Sequence, residues 1–225
     1  MSEVDLTIHI YDKEVSCPVC TSKFNAKVVK VNSPRIVSKD SDFFIRYRVV
    51  NPYFYDVWMC NSCGYSAIKG DFPKIKPYQK DLILNEITRK WRPHSFPEAL
   101  TVSDAINRYK LALVNSMAID ATNSSLAMIF LKLGWMFRLS EDINKEKLFL
   151  SQALQYFLKA FSLENFPIYG MQRDSLSYLI GDLYRRTDNS EEALRWYSTV
   201  ITTIGASAKV KDLARTAKDM ISNKI

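Results

Sequence analysis

Hydrophobic and polar positions change period once along this 225-residue chain. Up to about residue 78 they alternate in short runs. Leu6, Ile8 and Ile10 predict a lead-in strand within residues 1–16. Residues 23–31 and 36–38 predict strands on either side of a turn at Asn32-Ser33-Pro34. Asn51-Pro52 marks a second turn, and the alternation of Tyr55, Val57 and Met59 predicts a strand that ends at Cys60. Gly70, Pro73 and Pro77 predict a hinge over 70–78. Beyond it the period is helical, with helices expected at 79–91, 101–119, 123–140, 144–164, 172–187, 190–204 and 207–222. Pro93 and Pro97 bound the first, Asn123-Ser124 can cap the third, and Pro167 and Gly170 follow the fourth. Ser190-Glu191-Glu192 opens the sixth with a cap and acids in its first turn.

The cysteines add chemistry to the first region. Cys17-Pro18-Val19-Cys20 and Cys60-Asn61-Ser62-Cys63 are two C-x2-C pairs separated by 39 residues, and the chain has no other cysteine. Two intervening residues let one tight turn aim both sulfurs at one ion, and four such donors make a tetrahedral site. Pro18 pre-sets a backbone angle in the first turn. Gly64 follows the second pair, where a positive φ is expected, whereas Thr21 follows the first. The expected occupant is one structural Zn2+ per chain, held by Cys17, Cys20, Cys60 and Cys63, with iron of rubredoxin type as the alternative. Disulfides or a redox dithiol are the remaining readings. The start Met1-Ser2-Glu3-Val4-Asp5 is acidic where a secretion signal would be basic and then apolar, which speaks for a reducing cytoplasm.

Composition sets outer bounds. Hydrophobic residues make up 47% of the chain, enough for a real core, and only 6 glycines and 8 prolines interrupt it. The most apolar stretch, 126–137, is too short to span a membrane and contains Lys132. The formal net charge is +7, reduced to about +5 by a four-thiolate zinc centre. The surplus is spread out: positions 1–78 carry 11 basic and 8 acidic side chains, and 79–225 carry 20 and 16. Such mild basicity argues only weakly for nucleic acid.

The helical region contains a repeat. Gly181, Tyr184, Ala193 and Tyr197 stand at spacings of 3, 9 and 4. These resemble the Gly, Tyr, Ala and Phe positions of a tetratricopeptide repeat, where small residues let two helices touch. Gly134, Phe137, Ala153, Phe157 and Ala160 repeat the pattern with a longer connection, and Ala105, Tyr109 and Ala112 match one further helix. A generic helical bundle is the plainer alternative.

Across nearly the whole chain a set of motifs resembles one uncharacterised bacterial family, domain of unknown function 2225. They are Cys17-Pro18-x-Cys20, Asp40-Ser41-Asp42, Asn51-Pro52, Tyr55-Asp56-Val57-Trp58, Cys60-x-x-Cys63-Gly64-Tyr65 and Tyr109-Lys110-Leu111-Ala112-Leu113. The resemblance implies a zinc-ribbon-like head joined to tetratricopeptide-like helices in a bacterial cytoplasm. It implies no activity.

The expected fold is therefore α+β and mostly α: a zinc-ribbon-like β domain at 1–75, then an all-helical, tetratricopeptide-like α-solenoid at 76–225. By resemblance to such repeats, the first helix of each pair lines a concave face. That face would hold Met128, Leu131, Trp135 and Arg138, then Tyr178, Asp182 and Arg185. Apolar anchors with a few charges suit a protein or peptide partner, so the expected function is a metal-stabilised adaptor. The alternative for the same side chains is packing against another helix or the metal domain. A second reading is a nucleic-acid-binding head, with Arg46, Tyr47 and Arg48 contacting phosphate and base. Against it, aromatic residues this close to a ligand cysteine serve a small domain's core. Electron transfer follows if the metal is iron. No enzyme is expected: His9 and His94 are far apart, and there is no glycine-rich phosphate loop. The sequence names neither the partner nor the oligomeric state.

Overall fold

A computed structural model describes residues 5–222. The fold is α+β, with six short strands followed by seven helices. The strands are β1 (Ile10–Ser16), β2 (Lys23–Val29), β3 (Ile36–Lys39), β4 (Ile45–Tyr47), β5 (Val57–Met59) and β6 (Ser66–Ile68). They form three separate two-stranded ladders, β1-β2, β3-β4 and β5-β6. Isolated two-stranded ribbons are marginal in water, so each needs support from elsewhere.

The helices are α1 (Pro77–Leu82), α2 (Val102–Ala118), α3 (Asn123–Leu139), α4 (Ile143–Leu163), α5 (Arg173–Arg186), α6 (Ser190–Thr202) and α7 (Ala208–Ser222). Helices α2 to α7 lie within two residues of expectation. The expected helix at 79–91 does not run through. After α1 it widens into a π-turn at Ile83–Ile87 and tightens to a 3-10 turn at Thr88–Lys90. The Thr88 hydroxyl bonds the Cys63 carbonyl at 2.9 Å and the Ile83 carbonyl, five residues back, at 3.3 Å. That hook explains the change of pitch. The expected lead-in strand also differs. Its residues 1–4 lie outside the described range, and Leu6–His9 is a 3-10 turn capped by the Asp5 carboxylate, which accepts from the Thr7 N–H. The strand begins only at Ile10.

The chain divides into two compact units. The first comprises 1–38, 45–121 and 136–141, and the second comprises 39–44, 122–135 and 142–225. The division is not a single cut near residue 75: α1 and α2 group with the strands, and the short segment 39–44 groups with the helices.

In the first unit, residues 70–78 are core rather than hinge. Phe72 is buried, with its ring against Phe24, Trp58 and Tyr65. A cluster of Cys17, Cys60, Cys63, Tyr65, Ala67, Phe72, Ile75 and Ile83 forms the centre. Helix α2 adds Tyr109, whose hydroxyl donates to the Tyr53 carbonyl at 2.9 Å, and Asn115, whose amide reaches the Gly64 carbonyl at 3.3 Å.

In the second unit, consecutive helices touch at glycines. A Cβ on Gly134 would stand 2.6 Å from Leu150 Cδ2, and one on Gly181 would stand 2.9 Å from the Tyr197 ring. Ala153, Phe157, Ala160, Ala193 and Tyr197 are fully buried along the facing sides of α4 and α6. Tyr178, Val200, Val210, Ala214 and Ile221 continue that core through α5, α6 and α7. Among the described residues no helix is long and apolar enough to cross a membrane.

Candidate metal centre

Two hairpins of the same construction carry the cysteines. The β1-β2 register ends at Ser16↔Lys23, leaving the loop 17–22, and the β5-β6 register ends at Met59↔Ser66, leaving the loop 60–65. Each loop opens with C-x2-C. In the first, the Thr21 N–H donates to the Cys17 carbonyl at 3.0 Å and the Cys17 N–H to the Ser22 carbonyl at 2.9 Å. In the second, the Gly64 N–H donates to the Cys60 carbonyl at 2.8 Å and the Cys60 N–H to the Tyr65 carbonyl at 2.9 Å. The residue after each second cysteine is left-handed: φ is +63° at Thr21 and +80° at Gly64. Threonine therefore takes the conformation that glycine takes in the other loop. The cost to a β-branched residue is about 1–2 kcal/mol. Gly64 has a second reason to be glycine, since a Cβ there would lie 2.6 Å from the Trp91 ring.

The two loops bring all four Sγ atoms within 4.8 Å of one another. Cys17 Sγ stands 3.6 Å from Cys63 Sγ, and Cys20 Sγ stands 3.6 Å from Cys60 Sγ. A disulfide would need about 2.05 Å, so these are four free thiols. Four sulfurs about 2.3 Å from one ion sit about 3.8 Å apart at the corners of a tetrahedron. The donor set thus fits one thiophilic ion. Three of the cysteines are buried and Cys20 is partly so.

Four thiols this close compete for protons. Hydrogen bonds from Cys17 and then Cys63 hold the Cys60 thiol far below its ordinary range. The same contact with Cys60 pushes Cys17 up to about 11, and contact with Cys17 pushes Cys63 up. A divalent cation supplies the positive charge that lets all four sulfurs ionise together, and binding releases their protons.

Around the sulfurs lies a shell that sequence spacing did not reveal. Ser22 Oγ sits 2.9 Å from Cys20 Sγ and 3.4 Å from Cys60 Sγ. Trp91 covers the second loop, its indole N–H donating to the Asn61 carbonyl at 2.8 Å, and the His94 N–H bonds Asn61 Oδ1 at 2.8 Å. These residues come from the stretch after α1, at which no local pattern points toward the cysteines.

The other sequence-derived candidates fall elsewhere. Arg46 and Tyr47 belong to β4, Tyr47 meets Tyr53 edge-on at 5.9 Å, and Arg48 is exposed just beyond the strand. Arg138 falls in the first unit, whereas Met128, Leu131, Trp135, Tyr178, Asp182 and Arg185 fall in the second. Of these six, all but Arg185 are buried. Segment 39–44, the tip of the β3-β4 hairpin, supplies much of their cover. Trp135 Nε1 donates to Asp42 Oδ2 at 3.0 Å, Phe44 packs on Trp135, and Phe43 packs on Tyr178.

A family model described as an uncharacterized protein conserved in bacteria, DUF2225, matches residues 10–221. The chain belongs to this family. Both cysteine pairs, the β3-β4 tip and all seven helices lie within the matched span, apart from the last residue of α7. No curated protein and no solved structure matches the chain.

Two substitutions test the centre. Cys60→Ser is expected to abolish metal retention and to collapse the near-ultraviolet signal of Trp58 and Trp91. Unchanged metal content would contradict the assignment. Thr21→Gly is expected to stabilise the metal-loaded protein by about 1 kcal/mol in denaturant titration, because glycine adopts the left-handed angle without strain.

Proposed function

We propose that this protein is a non-enzymatic adaptor of the bacterial cytoplasm, held together by one structural zinc and docking a short peptide segment of a protein partner on its helical unit. The zinc reading rests on the closed, four-sulfur donor set, which leaves no position for substrate. Iron would use the same sulfurs. The cytoplasmic reading rests on four thiols placed for metal rather than for disulfides. The helical unit reads as tetratricopeptide-like because its consecutive helices meet at Gly134 and Gly181.

One observation carries the docking reading: the second unit already holds a short peptide segment, the hairpin turn of its own residues 40–44, closed by the Phe43 N–H on the Asp40 carbonyl at 3.1 Å and the Asp40 N–H on the Phe44 carbonyl at 2.8 Å. Asp182 is the centre of that contact. Its carboxylate accepts from the Ser41 hydroxyl at 2.8 Å, from Arg185 Nε and Arg186 Nε at 2.9 Å, and from the Tyr197 hydroxyl at 3.1 Å. Ser41 Oγ in turn accepts from Nη2 of Arg185 and of Arg186, each at 2.9 Å. Burial alone would raise the Asp182 pKa, but Arg186 and then Arg185 hold it below the usual carboxylate range. Asp42 is fully buried 3.5 Å from Arg186 Nε, and Phe44 is fully buried against Trp135. The surface therefore recognises a hydroxyl-acid-aromatic-aromatic sequence in a turn, and a partner bearing that pattern would compete for the place of the tip.

The test uses the full chain with residues 40–43 replaced by Gly-Ser-Gly-Ser. A synthetic peptide of residues 38–46 is expected to bind it one to one, with Kd at or below about 100 μM, and Asp182→Asn is expected to weaken that binding. A chain that keeps its helical circular dichroism but takes no peptide would contradict docking at this surface.

A further inference from the structure

A cavity in the first unit, apart from the four sulfurs, is lined by a buried cation that has no ion-pair partner among the described residues. Arg108 lies on the second turn of α2 and is 8% exposed. One guanidinium nitrogen, Nη2, donates to the Val57 carbonyl, and the group lies over the Phe96 ring, 5.2 Å from its centre. Its Nε has no hydrogen-bond partner. Among the described residues no carboxylate forms an ion pair with it. Asp104, one turn earlier, is engaged in capping α2, where it accepts from the Thr101 N–H and hydroxyl. Burial without an ion-pair partner disfavours the charged guanidinium and pushes its pKa down to about 10.

Arg108 lines a cavity of about 200 Å3. The same walls carry Lys27, His94 and Asn61 as polar groups and Phe24 and Phe96 as flat apolar ones, with no Asp or Glu among the lining residues. Lys27 is drawn toward Asp12 and Glu98 at its outer edge, at 3.1 and 3.3 Å. The composition suits a small-molecule site: apolar walls from Phe24, Ala26, Met59, Phe96, Pro97 and Leu100 beside a few polar groups, none of them acidic. We propose that this cavity binds a small organic anion, a carboxylate or phosphoryl group on a compact apolar or aromatic body. The oxyanion would take the unused donors of Arg108, and the body would lie between Phe24 and Phe96. Guanidinium groups favour these anions because their donors match two oxygens at once.

The experiment is a titration of the metal-loaded full chain, followed by backbone-amide NMR, with four probes: benzoate, phenyl phosphate, inorganic phosphate and neutral benzyl alcohol. Saturable binding of benzoate or phenyl phosphate, with shifts confined to the neighbourhood of Asn61, His94 and Arg108, is the expected result. Arg108→Met, which keeps the side chain's bulk, is expected to weaken binding about tenfold or more. The stronger of the two aromatic anions identifies the carboxylate or phosphoryl source. The wild-type chain itself can overturn the site, whatever the variant's stability. Absence of binding by both aromatic anions at roughly 10 mM, shifts located elsewhere, or equal binding of benzyl alcohol would each do so.

Discussion

Four sulfur atoms within 4.8 Å of one another are the constraint on which the first unit depends. The strands that carry them are short and paired only two by two, and such ribbons do not stand alone in water. Each of these two hairpins ends in a six-residue loop with the same internal hydrogen bonds, and the loops meet at their sulfurs and at the Ser22 hydroxyl. Thiolates repel one another, so the arrangement needs a cation to hold it. The packing follows from that point. Tyr65, Phe72, Ile75 and Ile83 close over the buried cysteines. Thr88, Trp91 and Asn115 then tie the later chain to carbonyls of the second loop. In a unit with so little sheet, a metal ion held by these sulfurs would take the part that a larger hydrophobic core plays elsewhere.

The second unit solves a different problem. Close helix contacts at Gly134 and Gly181 leave little room between α3 and α4 and between α5 and α6. The polar centre is Asp182, fully buried, surrounded by two arginines, a tyrosine and the Ser41 hydroxyl. Removing one member of such a network leaves the others buried and unpaired, which makes it specific as well as costly to disturb. The tip of the β3-β4 hairpin is thereby part of the helical unit. A hairpin turn of defined chemistry is bound there by the chain itself, and this gives the docking proposal its physical content.

Local patterns made most of the elements legible. Cysteine spacing picked out the four sulfurs that stand together, the proline and glycine signals bounded the helices, and Gly181 with Tyr197 marked a point of contact. What stayed hidden was long-range. Thr21 was read as a departure from the glycine of the other loop, yet it adopts the same left-handed angle, because the loop's hydrogen bonds outweigh threonine's local preference. Residues 70–78 carry hinge composition, but Phe72 and Ile75 are drawn into the core by the aromatic residues of the metal hairpins. The π-turn after α1 arises from a Thr88 hydroxyl bond to Cys63, 25 residues away. The candidate groove residues were grouped by repeat spacing, and nothing in that spacing indicates that residues 40–44 lie over them.

The central claim is that one zinc ion, bound by Cys17, Cys20, Cys60 and Cys63, organises the first unit. Elemental analysis of the natively purified protein, with an absorption spectrum on the same sample, tests it most directly. One zinc per chain and no visible colour is the predicted result. One iron per chain with thiolate charge-transfer bands would contradict the zinc assignment and redirect the function toward electron transfer. A metal-free protein that keeps its first unit folded would contradict the claim altogether.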